Sequence, residues 1–300
     1  MELSTFNILK HQNNKAGVQI EGALLKDLQK TMLSILKDFD SVCSKHNLYY
    51  SLCGGSALGA VRHKGFIPWD DDIDVFMTRE SWNKFLQIFI ESLGEKYTLH
   101  SPETTPELGM PIAQLSLNGT IYRTHLAPNR NNPGVYLDIF ILENVSNNAF
   151  FRTLHGFLSL LFGFCLSCSR YYKDREIILN FFSDSDPKTL KSLRTKIFLG
   201  KILNCFSSSR FWSVWTNKIN MLCKNIHSNY VSCPSGRGHF FKETYERSKI
   251  CMNQTVLFEN MPLKLMKDPS YYLNRLYGSD YMQIPDVDKR EKHCIIECKI

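Results

Sequence analysis

The sequence predicts an α+β fold with a helical insertion, and three observations carry that expectation. Short apolar runs bounded by Gly, Asn or Asp alternate with segments of helical periodicity as far as about residue 145. After Asn144 the strand signals stop, and long helical patterns run to about residue 235. From residue 236 the pattern is mixed again. The expected organisation is therefore a loose polar arm at 1–17, a core at 18–145, a helical region at 146–235 and a mixed segment at 236–300 packing on the core.

The elements follow in chain order. From Leu24 to Cys43, the residues Leu24, Leu28, Met32, Ile35, Leu36, Phe39 and Cys43 recur at helical spacing and predict a long amphipathic helix. Leu48–Cys53, closed by Gly54-Gly55, reads as a strand. Ser56–Arg62 reads as a short helix starting at the Gly-Gly-Ser turn. A strand over Ile73–Met77 and a helix over Arg79–Leu93 come next. Asn118-Gly119, between apolar runs at Ile112–Leu117 and Thr120–Leu126, is a hairpin signal. Val135–Leu142 is apolar almost throughout and predicts a buried strand. Phe150–Leu166, Pro187–Phe206 and Phe211–His227 follow as helices. A hairpin around Phe258-Glu259-Asn260 and a helix at Tyr271–Tyr277 complete the set.

The chain of 300 residues has 43% hydrophobic and 12% aromatic residues, enough for a sizeable core and unlike a disordered chain. A net charge of +7 suits anionic substrates or an anionic membrane face. No basic run with interleaved aromatics appears, so nucleic acid is not an expected partner. The first residues lack the pattern of a signal peptide. Ten cysteines then read as reduced thiols in a cytoplasmic protein. The longest apolar stretch, Leu154–Cys168, falls short of the roughly 20 residues a spanning helix needs. A buried helix is expected there, the alternative being an interfacial membrane helix. Contact with a membrane is expected to be peripheral, weak and salt-sensitive at most.

The chemistry concentrates in Leu48–Met77. Gly54-Gly55-Ser56 precedes a basic triplet, Arg62-His63-Lys64, and then Asp70, Asp71, Asp72 and Asp74. Residues two apart in a strand share a face, so Asp72 and Asp74 project together while Ile73 and Val75 turn inward. Two such carboxylates repel unless a cation lies between them, and a hard divalent ion, Mg²⁺ or Mn²⁺, supplies that charge. A solvated acidic turn accounts for Asp70 and Asp71, but poorly for Asp74 among apolar neighbours. Asp138 is the only charge in VYLDIFIL. It is either a third metal-binding carboxylate, placed to help deprotonate a hydroxyl, or a salt-bridge partner of a residue such as Arg123. Gly54, Gly55 and Ser56 offer backbone amides to phosphate at a helix N-terminus, and Arg62 or Lys64 offers charge to a diphosphate. Trp69 either stacks on a ligand or packs the loop. Cys165 and Cys168 read as buried thiols, and Cys294 and Cys298 as inert. Cys223, His227, Cys233 and His239 have a spacing that fits no strong zinc pattern.

The segment CGGSALGAVRHKGFIPWDDDIDVFM resembles the LicD family of phosphotransferases. LDIFIL, TVLFENMPLKL and YYLNRLYGSDYMQIP resemble further segments of that family in the same order, and His293 stands near the position of a late family histidine. Asn260 departs from a more usual Gly. The resemblance implies a nucleotidyltransferase-like mixed β-sheet flanked by helices, with metal at the strand carrying D-x-D. It also implies a CDP-linked donor such as CDP-choline, and a glycan or lipid-linked glycan acceptor. The expected reaction moves a substituted phosphate to a glycan hydroxyl and releases CMP. Asp72, Asp74 and Asp138 would bind metal; Gly54, Gly55, Ser56, Arg62 and Lys64 would hold phosphate. Two alternatives are a nucleotidyltransferase acting on a small molecule or protein, and a non-catalytic scaffold.

Overall fold

In the computed structural model, residues 17–124, 128–290, 293 and 295–300 are described. The arm therefore lies almost wholly outside the described residues, as do Leu126 and Cys294. The first element, α1, spans Gly22–Lys45 and buries Leu28, Met32, Ile35, Leu36, Phe39 and Cys43 completely. Leu25 is buried in place of Leu24, a shift of one residue around the helix. Asn47 then turns the chain at a positive φ of 52° into β1 (Tyr50–Leu52).

Next come α2 (Gly54–Arg62), β2 (Asp74–Thr78), α3 (Arg79–Leu93), β3 (Tyr97–His100), β4 (Ala113–Leu117), β5 (Ile121–Thr124) and β6 (Tyr136–Val145). The helical region holds α4 (Ala149–Lys173), α5 (Arg175–Phe181), α6 (Pro187–Phe206) and α7 (Ser209–Asn220). After it run β7 (Tyr230–Ser232), α8 (His239–Lys242), β8 (Thr244–Glu246), α9 (Arg247–Ile250), β9 (Asn253–Phe258), β10 (Met261–Met266), α10 (Pro269–Tyr277) and β11 (Ile295–Lys299).

Seven strands form one path in the order β3-β4-β6-β2-β1-β10-β9, and β7 and β8 extend the far end of β6. The sheet is mixed, because β2 lies parallel to β6 and β1 parallel to β10, while the other pairs are antiparallel. One face carries Val75, Met77 and Tyr50, with Tyr50 opposite Met77. Helices α1 and α3 cover it. Phe39 of α1 packs its ring 5.3 Å from that of Tyr50 and 5.4 Å from that of Phe85 of α3. The other face carries Phe76, whose ring lies 5.4 Å from that of Tyr272 on α10.

Two expectations change. Asn118-Gly119 does turn the chain, with Gly119 at φ 81°, but β4 and β5 do not pair. Both edges of β4 are taken, by β3 and β6, so β5 leaves the sheet and pairs with β11. The Leu154–Cys168 stretch lies within a 25-residue helix, α4, but it is not a buried one: only 22% of its apolar window is buried. The second hairpin forms as expected. Glu259 and Asn260 make a two-residue loop between Phe258 and Met261, both at positive φ, so Asn260 takes the backbone a Gly would have taken.

Helix α2 depends on a close approach. A Cβ at Gly59 would stand 2.4 Å from the Gly65 carbonyl oxygen. Gly59→Ala is expected to cost ~1–3 kcal/mol by overpacking, read as a lower urea midpoint. A midpoint equal to wild type would contradict this packing.

Candidate active site

Strand pairing builds the site. In the parallel β2–β6 pair Asp74 stands opposite Asp138, and in the antiparallel β4–β6 pair Gln114 stands opposite Asp138. Residues opposite one another share a face, so the row Gln114–Asp138–Asp74 crosses three strands on one side of the sheet. Ile73 and Val75 are fully buried on the other side, as the alternation requires.

Backbone bonds fix the mouth of β2. The Asp74 N–H donates to Ser56 Oγ at 2.9 Å, the Cys53 N–H to the Asp74 carbonyl at 3.0 Å, and the Asp138 N–H to the Ile73 carbonyl at 2.9 Å. Ser56 thus ties α2 to β2. Gly54 donates its N–H to the Tyr272 hydroxyl at 2.8 Å. Gly54 has φ 52°, and a Cβ on it would stand 2.4 Å from Asp74 Oδ2. A Cβ on Gly55 would stand 2.7 Å from Asp70 Oδ2. The Gly-Gly pair is therefore the floor on which two carboxylates rest. The Gly55 and Ser56 amides lie in the first turn of α2, where helix geometry gives them no intrahelical acceptor.

The acids are held unequally. The Tyr122 hydroxyl donates to the Asp71 carbonyl at 2.9 Å, and His293 Nδ1 lies 2.6 Å from Asp71 Oδ1. His293 Nε2 is 3.4 Å from Asp72 Oδ2. Burial works against the charge on Asp71, yet the His293 and Tyr122 donors outweigh it and hold its carboxyl below the usual value. Burial also works against the His293 cation, but the Asp71 and Asp72 carboxylates raise its pKa well above normal. Asp70 and Asp74 are pushed up by burial and by their acidic neighbours. Asp138 is raised to about 7 by burial, with Asp72 adding to the shift and Gln114 opposing it. Gln114 Nε2 donates to Asp138 Oδ1 at 2.7 Å, while Gln114 Oε1 accepts from buried Arg130.

The expected carboxylates thus meet at one place. Asp72, Asp74 and Asp138 lie close together: after burial, the Asp72 carboxylate helps raise both Asp74 and Asp138, and Asp138 helps raise Asp74. A second grouping appears as well: ligand atoms of Asp71, Asp72 and His293 lie within 4.8 Å of one another. Among the described residues, Cys223, His227, Cys233 and His239 form no such group. Arg62 is turned to the C-terminal segment, its Nη1 donating to the Tyr281 and Gln283 carbonyls at 3.0 Å. Lys64 is exposed at φ 58°. Trp69 packs the loop, with the Arg290 guanidinium 3.9 Å above its ring. Arg123 is not the partner of Asp138; it bonds the Pro128 and Arg130 carbonyls and Glu297.

A divalent cation fits this donor set. Among the described residues, buried Asp70 Oδ2 has no hydrogen-bond partner. Burial and acidic neighbours together raise Asp74 and Asp138, and a hard cation relieves that condition. Gln114, Arg130 and Tyr272 were not legible as site residues. Gln114 sits in an ordinary apolar alternation and Arg130 in a polar loop, while Tyr272 falls in an expected helix far along the chain from the Gly-Gly turn.

A mixed sheet with carboxylates at the mouths of adjacent parallel strands, beside a Gly-Gly entry into a short helix, defines a nucleotidyltransferase-like core. Residues 47–156 match the LicD/FKTN/FKRP nucleotidyltransferase domain, so the chain carries a LicD-family domain. The chain is 28% identical over 284 residues to the lipopolysaccharide cholinephosphotransferase LicD of Haemophilus influenzae, covering 92% of this chain and 98% of that protein. Uncharacterised proteins of Rickettsia typhi and Rickettsia prowazekii match shorter stretches. They are 40% identical over 58 residues and 38% over 66, covering 19% and 21% of this chain and 19% and 25% of their own lengths.

Asp138 separates a site residue from a structural ion. Its folded pKa of about 7 exceeds the ordinary 3.8, so its ionised form burdens the fold. Its contribution favours folding below about pH 4 and is lost as pH rises through about 7. Asp138→Asn is therefore expected to keep or raise the melting temperature of metal-free protein at pH 8. A marked drop would contradict this and restore the salt-bridge reading.

Proposed function

We propose that the chain is a metal-dependent phosphotransferase that moves phosphocholine, or a close relative of it, from a CDP-linked donor to a glycan hydroxyl. The observation that carries the proposal is the register placing Asp74 opposite Asp138 beside the Gly54-Gly55 floor. The similarity to a cholinephosphotransferase along nearly the whole chain supports the substrate class.

Asp72, Asp74 and Asp138 would hold Mg²⁺ or Mn²⁺. That ion, when bound, neutralises charge on the donor diphosphate. The Gly55 and Ser56 amides, at the positive end of α2, receive phosphate oxygens. Asp138, oriented by Gln114, takes the acceptor hydroxyl proton as that oxygen bonds to the donor's distal phosphorus. The bond from that phosphorus to the bridging oxygen breaks, and CMP leaves with the electron pair. Such chemistry is mostly positioning and charge stabilisation, which carboxylates and fixed amides can supply. Arg62 or Lys64 supplies positive charge to the leaving CMP. The proposed reaction takes a glycan or lipid-linked glycan as acceptor and is proposed to run in the cytoplasm.

Release of CMP from CDP-choline with a glycan acceptor, compared with release of pyrophosphate from ATP, tests the donor. CMP release that requires the acceptor is expected; turnover of ATP alone would make the protein a nucleotidyltransferase. Asp72→Asn and Asp74→Asn are each expected to lower transfer by about 10³-fold or more while the fold persists. Near-normal turnover by either under saturating Mg²⁺ would overturn the assignment.

A further inference from the structure

The first turns of α4 are amphipathic with the apolar side outward. Phe150, Leu154, Phe157 and Leu161, at spacings of four, three and four, form one stripe and are 71%, 48%, 61% and 56% exposed. The opposite side is small or polar and is buried. His155 Nε2 bonds the Ile219 carbonyl of α7 at 2.8 Å, and Ser159 Oγ donates to Asn220 Oδ1 at 2.7 Å. Helix α6 repeats the pattern at its end, where Phe198, Ile202 and Phe206 are 61%, 44% and 84% exposed.

Charge marks the same segment. Residues 149–220 hold eleven of the 36 Lys and Arg and four of the 29 Asp and Glu. They therefore carry the whole net charge of +7, and the rest of the chain, with twenty-five of each sign, is neutral. The four acids all fall in the connection 174–186, so α4, α6 and α7 contain none. Along α6 the exposed Lys191, Arg194 and Lys201 accompany the exposed apolar residues.

We propose that this helical face docks on the surface of an anionic lipid bilayer, with the α4 and α6 apolar side chains entering the acyl boundary and the Lys and Arg meeting lipid phosphates. Apolar side chains flanked by bases and free of acids are the mark of an interfacial helix. A second copy of the chain is the poorer occupant, because it would bring one +7 segment against another. Docking is on the surface rather than across the bilayer, since the polar side of α4 is bonded to α7. The inference rests on this face alone and is independent of the catalytic reading.

Co-sedimentation of the full chain with vesicles of phosphatidylcholine plus phosphatidylglycerol, against phosphatidylcholine alone, tests it at low and high salt. Stronger binding to the anionic vesicles, reduced by salt, is expected. The triple variant Phe150→Gln, Leu154→Gln, Leu161→Gln should bind at least about tenfold more weakly with an unchanged melting temperature. Should that variant unfold, Lys191→Glu, Arg194→Glu, Lys201→Glu gives the second reading, and it should lose the preference for anionic lipid. The proposal is overturned if wild type binds no vesicles, if both variants bind like wild type, or if wild type is a dimer that either variant dissociates while neither alters vesicle binding.

Discussion

Repulsion among carboxylates governs this molecule. Asp70, Asp74 and Asp138 are gathered where burial disfavours their charged forms, and the Asp72 carboxylate beside them raises the cost of ionising all three. A fold does not tolerate such a cluster for stability's sake. Backbone pairing on both sides of β2 holds that strand in place and sets Asp74 opposite Asp138. One imidazole, His293, answers part of the charge from the C-terminal segment, reaching Asp71 and Asp72 together. The remainder is the charge that the proposed divalent cation would offset.

The rest of the architecture serves that placement. Helices α1 and α3 seal one face of the sheet with aromatic packing, which leaves the other face for chemistry. The Gly54-Gly55 step lets α2 begin directly beneath Asp74 and Asp70, where any side chain would collide. Tyr272 reaches from α10 to hold the Gly54 amide, so the last third of the chain closes the site that the first third begins. Arg130 and Gln114 orient Asp138 from outside the carboxylate cluster.

What was legible in the sequence was local. The period of α1, the strand–Gly-Gly–helix step, the shared face of Asp72 and Asp74, and the isolation of Asp138 in an apolar run all follow from neighbours in sequence. The expectations that failed depend on who else competes for a surface. Asn118-Gly119 signals a hairpin, yet β4 already has partners on both edges, so β5 pairs with β11 near the other end of the chain. The apolar run in α4 suggested a buried helix, yet the neighbouring helix offers hydrogen-bonding groups, so the polar side turns inward and Phe150 and Phe157 stay outside. Gln114 and Arg130 were invisible because their role is set by strand register and loop return.

The charge demand of the cluster can be measured without substrate. Titrating metal-free protein with Mn²⁺ while following its melting temperature reports binding to the folded state. The account predicts a saturable rise in melting temperature that is largely lost in Asp74→Asn. No shift at millimolar Mn²⁺, or an equal shift in that variant, would contradict it.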